Sequence, residues 1–249
     1  MRNPADQKCF EPAAVPSTVF VEFEEIESLV LDDEARAIER YLAPAEQVCY
    51  AGLKTQKRRI GWRAGRIAAK RLIRETFFAG QRAIVPYAAI GILADDMGAP
   101  QVYIAGEPGP WPRVSITHGA GVSAAYRSPR PELRPGIDVE MVERREPAFV
   151  AQFFTPGERA RAAFAADIDV ELTKLWTVKE AVLKALGIGG RVDFREIDID
   201  AAGSGVSLRG EARRHAEAMG ATDPTIELEC EDCKCGRRVV ARVLLRVES

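Results

Sequence analysis

The stretch LTKLWTVKEAVLKALG, residues 172–187, decides how the chain is read. At about 100° per residue, Leu175, Val178, Val182 and Leu186 share one stripe, the mark of a helix with a buried face. Glu180 and Lys184 lie on the opposite side, one turn apart. Ala, Leu, Lys and Glu are good helix formers, and Gly187 and Gly189 supply a stop. Strand candidates follow at DFREIDID, GVSLRG, TIELEC and RRVVARVLLRV.

The first half repeats this order. GWRAGRIAAKRLIRETF is a helix candidate, and AAIGIL, APQVYIAG, RVSITH and VSAAYR follow as strands. Between the halves runs RSPRPELRPG, residues 127–136, whose three prolines read as a linker. The expected fold class is α+β: two similar α+β lobes in one chain, a pseudo-dimer with its site in the cleft between them. The expected division is 1–130 and 131–249. Two further helices are expected. LDDEARAIERYLA has acids in its first turn. TPGERARAAFA offers Thr155 as N-cap, Pro156 at the first helical position and Glu158 three residues after the cap, a capping box.

The chain has 249 residues, with 47% hydrophobic and 29% charged, as in soluble globular proteins. Its formal charge of −2 gives no global attraction to nucleic acid or to acidic membranes. No apolar run reaches the length of a membrane helix, and the first residues lack a secretory pattern. A reducing, cytoplasmic setting is the expectation, because five cysteines do not suggest a disulfide framework. Cys230, Cys233 and Cys235 fall between two strand candidates, so a hairpin loop is preferred to a zinc site, which usually needs four ligands.

PGIDVE, residues 135–140, places Ile137 and Val139 on one face of a strand and Asp138 and Glu140 on the other. Alone, the alternation describes a solvated face, and Glu180 with Lys184 a surface ion pair. If Glu180 converges on Asp138 and Glu140, three carboxylates need a cation, and a hard divalent ion that also binds phosphates suits them. The segment 54–66, with Lys54, Lys57, Arg58, Arg59, Arg63 and Arg66, is densely basic. In a slightly acidic chain such a local cluster suits a small anionic ligand better than nucleic acid. Lys57, Arg58, Arg63 and Arg66 are the expected anion contacts. Ser115, Thr117 and His118, at a strand end before glycines, are further ones.

GIDVE, followed about forty residues later by WTVKEAVLK, resembles the paired signature of the 4′-phosphopantetheinyl transferases, G-[IV]-D-[IV]-[ED] and W-x-x-K-E-A-x-x-K. FFTPGERA resembles the segment between them. WRAGRIAAKRLI, DDMGAPQV and VSITHGAGVSAAY resemble upstream motifs of the larger, surfactin-synthetase-type members, which are monomeric pseudo-dimers. The resemblance covers roughly residues 55–200. It implies an enzyme that moves the phosphopantetheine arm of coenzyme A onto a serine of an apo acyl or peptidyl carrier protein. The expected carriers are those of fatty-acid, polyketide or nonribosomal peptide synthesis. It also implies Mg²⁺ or Mn²⁺ held by Asp138, Glu140 and Glu180, and Lys184 neutralising the pyrophosphate. Lys57, Arg66 and His118 would hold the 3′-phosphate, with Gly98 and Pro100 in the G-x-P turn. Glu180 or a metal-bridged water would take the serine proton, with Glu158 a further candidate. Ala99 departs from the basic residue often found in that turn. The alternative is a non-catalytic carrier-protein or nucleotide-binding module of the same fold.

Overall fold

The computed structural model describes residues 17–30, 34–79, 85–200, 202–203, 205–222, 224–234 and 236–248. In the first half, strand β1 (Thr18–Glu22) leads into α1 (Phe23–Val30), α2 (Glu34–Tyr41), α3 (Pro44–Ala51) and the long α4 (Gln56–Thr76). A hairpin of β2 (Ile90–Ala94) and β3 (Pro100–Ile104) follows, then β4 (Val114–Gly119) and β5 (Val122–Arg127). The second half opens with β6 (Leu133–Met141), α5 (Pro147–Phe153), α6 (Pro156–Ala163) and the long α7 (Ile168–Leu186). Then come β7 (Ile197–Ile199), β8 (Val206–Leu208), α8 (Gly210–Ala218), β9 (Thr225–Cys233) and β10 (Gly236–Arg246).

The two halves share a plan. Each has an antiparallel three-stranded sheet, β1-β5-β4 and β6-β10-β9, and a separate two-stranded hairpin, β2-β3 and β7-β8. In each, the strand before the long helix is an edge strand paired with the last strand of that half. α4 packs on the first sheet and α7 on the second. Part of the expected linker is strand: β6 already includes Arg134, Pro135 and Gly136.

Local chemistry sets the long helices. Thr55 caps α4, its hydroxyl accepting from Arg58 N at 3.3 Å. Asp167 caps α7 and accepts from Asp169 N and Val170 N, each at 3.1 Å. Gly187 ends α7 in the left-handed region (φ 73°), where a side chain would be strained. The expected stripe of α7 is buried, and so are Ala181, Leu183 and Ala185, because the helix is covered on most sides. Each half has its own apolar core, one around α4 and one around α7. A third core, with Val122, Ala124 and Tyr126 from the first half and Ile137, Val139 and Val240 from the second, joins them.

An ion pair is repeated in the two halves. Lys70 of α4 binds Glu46 of α3 with both side chains fully buried. Glu46 also accepts from Ala43 N at 2.8 Å and from Ile92 N at 3.0 Å. Lys179 of α7 binds Glu158 of α6 at 2.8 Å, again with neither exposed. Glu158 accepts from Thr155 N at 2.9 Å and from Ile199 N at 3.1 Å. Each pair therefore ties the long helix, a short capped helix and the hairpin of its own half.

Two glycines in this region allow backbone contact that no other residue would. A Cβ on Gly136 would lie 1.9 Å from Ala181 O, so α7 rests directly on β6. A Cβ on Gly119 would lie 2.6 Å from Val139 O, so β4 approaches β6 across the join between halves. Gly136→Ala should destabilise the protein by about 3 kcal/mol or more, since the atoms the new Cβ would meet, Ala181 O, Ala181 C and Ala185 N, all belong to the backbone. Urea unfolding followed by circular dichroism measures this, and a loss under about 1 kcal/mol would contradict the contact.

Candidate active site

β4, β6 and α7 bring their polar residues to one place. β6 presents Asp138, buried and bonded through Oδ1 to two neighbours. Thr117 Oγ1 of β4 donates at 2.8 Å, and Lys184 Nζ of α7 donates at 2.7 Å. Lys184 also donates to Ile137 O at 3.0 Å. Asp138 Oδ2 is buried with no partner. Two residues on, Glu140 accepts from Trp176 Nε1 at 3.2 Å and from Arg145 Nη2 at 3.1 Å. Trp176 is fixed by stacking on Phe194 (4.7 Å, 15°) and by edge contact with Phe149 at 4.8 Å.

Glu180 of α7 lies near enough to feel the charges of the other two acids. Burial pushes the Glu180 pKa up to about 7, and the charges of Asp138 and Glu140 add to the rise while Lys184 opposes it. Burial and Asp138 likewise raise Glu140, against Arg145 and Trp176. Glu180 makes no hydrogen bond or ion pair among the described residues. As placed, however, no three His, Cys, Asp or Glu side chains among the described residues stand close enough to hold a metal ion together. Lys184 sits on Asp138, and Arg145 on Glu140. The donor set still fits a hard cation: a buried orphan carboxylate oxygen, an unbonded glutamate and a third acid, all mutually repelling.

A cavity of about 830 Å³ opens beside this group. Its wall draws on both halves: Arg66 of α4, the β2–β3 turn, β4, the 127–131 segment, the start of β6 and the end of α7. The expected residues Arg66, Gly98, Pro100, Ser115, His118 and Lys184 all line it. The Arg66 guanidinium lies 3.8 Å above the Trp62 ring. Its Nε is buried without a partner, and burial brings its pKa down to about 10. Such a cation on a cavity wall attracts an anion. His118 is held below its ordinary pKa by burial and by Lys184 and Arg66, against the charge of Asp138.

Other expected residues are bonded within the protein or lie off the cavity. Thr117 is turned to Asp138, and Ser115 accepts from Ile137 N at 3.1 Å, so Thr117 and Ser115 bond across β4 and β6. Lys57 and Arg58 are exposed in the first turn of α4 and do not line the cavity, although Arg58 is near enough to bear on His118. Arg63 is a correction. Its side chain is 3% exposed, facing Tyr50 and Glu34 rather than the cavity, because α2 and α3 cover that side of α4. Glu158 is a second correction. It is enclosed by Lys179 and two backbone N–H groups, with no surface for a substrate. The expected capping box at Thr155 is present, and it is part of what encloses Glu158. Cys230 and Cys233 lie in β9, and Cys235 is outside the described residues. Arg113, Arg127 and Arg134 on the cavity wall, and Arg145 and Trp176 around Glu140, were not among the expected site residues.

Glu158→Gln should cost about 3–5 kcal/mol, because it leaves Lys179 buried without its carboxylate. Thermal unfolding measures the loss. Unchanged stability with lost activity would return Glu158 to the chemistry.

Residues 134–222 match the family model of the 4′-phosphopantetheinyl transferase superfamily, a span that contains Asp138, Glu140, Glu180 and Lys184. The chain is 35% identical over 106 residues to a holo-[acyl-carrier-protein] synthase of Moorella thermoacetica, covering 39% of this chain and 83% of that protein. It is 29% identical over 106 residues to the fatty acid synthase subunit alpha of Saccharomyces cerevisiae, of which it spans only 6%. Among solved structures, the Chronobacterium ammoniagenes ACPS–CoA complex matches 47% of this chain and 98% of its own, with 26% identity and a TM-score of 0.37. The family model, and a relative matched over most of its length, together show that the chain belongs to the 4′-phosphopantetheinyl transferase superfamily.

Proposed function

We propose that the protein transfers the 4′-phosphopantetheine group of coenzyme A to a serine of an apo acyl or peptidyl carrier protein. The other product is adenosine 3′,5′-bisphosphate. One observation carries the reading: Lys184 lines a basic cavity and at the same time bonds Asp138, so a phosphate held in the cavity would reach the three acids.

In this reading Arg66 and His118 hold the 3′-phosphate, and the β2–β3 turn with Gly98 and Pro100 faces the adenosine. Lys184 stands beside the pyrophosphate. The serine oxygen attacks the phosphorus that carries the pantetheine arm, and the bond from that phosphorus to the bridging oxygen breaks. Negative charge develops on the departing bisphosphate, where Lys184 neutralises it. The serine proton passes to Glu180 or to a water beside it. Asp138 through Oδ2, Glu140 and Glu180 would hold Mg²⁺, which supplies further neutralisation of the pyrophosphate when bound. Trp176 and Arg145 fix the Glu140 carboxylate, so that acid is oriented before any ligand arrives. The nucleophile comes from the partner, so the chain needs no reactive serine of its own.

Glu180→Gln should abolish labelling of an apo carrier protein by coenzyme A and Mg²⁺, read as the mass gain of one phosphopantetheine on the carrier. Stability should change by less than about 1 kcal/mol, because Glu180 has no hydrogen bond to lose. Full labelling by that variant would reject the assignment, and wild-type protein that labels no carrier would favour the non-catalytic module.

A further inference from the structure

The cavity carries more positive charge than the transfer reaction uses. Arg66, His118 and Lys184 stand at the end near Asp138, as their mutual effects on His118 show. Arg113, Arg127 and Arg134 line the same cavity.

The strands place these three at the other end. Ile137 N bonds Ser115 Oγ, Thr117 bonds Asp138, and Gly119 lies against Val139 O. Sequence numbers rise together along both strands, four residues of β4 for two of β6, so β4 crosses β6 at an angle with both pointing the same general way. Arg113 is four residues before Thr117, and Arg134 is four residues before Asp138. At about 3.3 Å per residue, both lie roughly 13 Å from the Thr117–Asp138 contact. Arg127 lies next to Arg113 through the backbone, since Ser128 N donates to Arg113 O at 3.2 Å, and it lines the same cavity.

Their donors are only partly used. Arg134 Nε donates to Ala185 O at 3.0 Å, and Arg127 Nη1 to Ser128 O at 3.1 Å. A guanidinium has five N–H donors, so most of each fork is unspent. Arg127 Nε is buried with no partner. Arg113 is exposed and makes no side-chain hydrogen bond among the described residues. Among the described residues, no Asp or Glu lines the cavity. Arg134 is held below its ordinary pKa by burial and by Arg113, with Asp95 the acid that opposes this. Room has been kept for its guanidinium: a Cβ on Gly187 would come 2.5 Å from Arg134 Nη2. Three arginines on one cavity wall, with no carboxylate lining it among the described residues, fit an anion with several oxygens, which takes forks bidentately.

We propose that Arg113, Arg127 and Arg134 form a second anion-binding subsite, about 13 Å along the cavity from Asp138, for a phosphate-class anion. The assignment of the first end rests on the coenzyme A reading above; the second subsite stands on its own geometry. The anion is either free phosphate or a phosphate borne by a bound nucleotide.

Calorimetric titration of the full-length protein with inorganic phosphate, at low ionic strength, tests it. Arg66→Gln, which removes the fork of the first end, should still bind phosphate. Adding Arg113→Gln should weaken that binding about tenfold, and adding Arg134→Gln should weaken it further. Arg113→Gln alone has no hydrogen bond to lose and leaves the fold intact, so the test survives if Arg134 variants unfold. Repeating the titration with saturating adenosine 3′,5′-bisphosphate separates the sources: retained phosphate binding identifies a free anion, and its loss identifies a phosphate of the nucleotide. Failure of the Arg66→Gln protein to bind phosphate, or equal affinity with and without Arg113, overturns the subsite. Carrier labelling is scored separately: its absence alongside intact phosphate binding would reject the transfer reading and leave the subsite standing.

Discussion

Everything near the site depends on how closely β6 is approached by its neighbours. With no side chain at Gly136, α7 lies with Ala181 O against the strand. With none at Gly119, β4 comes to the carbonyl of Val139. Those two contacts bring an aspartate, a lysine and a threonine from three elements and both halves to within hydrogen-bond distance. The separation between Asp138 and Lys184 is therefore a property of the backbone packing. Either glycine enlarged by a methyl group would push apart groups that the chemistry needs together.

The repeated Lys–Glu pair shows how each half holds its shape. A buried ion pair carries a large desolvation penalty, offset only when every charge is also hydrogen-bonded. Both are. Lys70 donates to Tyr41 O at 2.6 Å, and Lys179 donates to Phe194 O at 2.9 Å and Ile197 O at 2.6 Å. Either lysine, left without its glutamate, would be an isolated buried charge, which resists slippage of the helix against its hairpin. In the second half this fixes α7 along its axis, and with it Glu180 and Lys184, one and five residues after the lysine that does the fixing. The polar end of α7 and its buried end thus share one rigid body.

Much of this was legible in the sequence, for reasons that can be named. The stripe of α7, its glycine stop and the Thr155 capping box are local patterns, so spacing alone reveals them. The acid pair of β6 was legible because alternation in a strand places both carboxylates on one side. Glu158 was misjudged because a capping glutamate and a catalytic one look alike until the buried partner, Lys179, is seen 21 residues away. Arg63 was misjudged because α2 and α3, which cover it, gave weaker sequence signals than the basic run itself. Before residue 54 the sequence marks only the helix LDDEARAIERYLA, yet β1 completes the first sheet and Glu46 anchors α4. Arg113, Arg127 and Arg134 are scattered in sequence and meet only through the alignment of β4 with β5 and β6, which no single-strand pattern encodes.

The central proposal is that carboxylates from β6 and α7 gather around one cation at the mouth of the cavity built by both halves, where coenzyme A would bind. Crystals grown with Mn²⁺ and coenzyme A, measured at the manganese absorption edge, test it most directly. The account predicts an anomalous peak in contact with Asp138, Glu140 and Glu180, with the ligand pyrophosphate beside Lys184. Coenzyme A bound in the cavity with no peak at these carboxylates, or with Glu180 turned away from the other two, would contradict it.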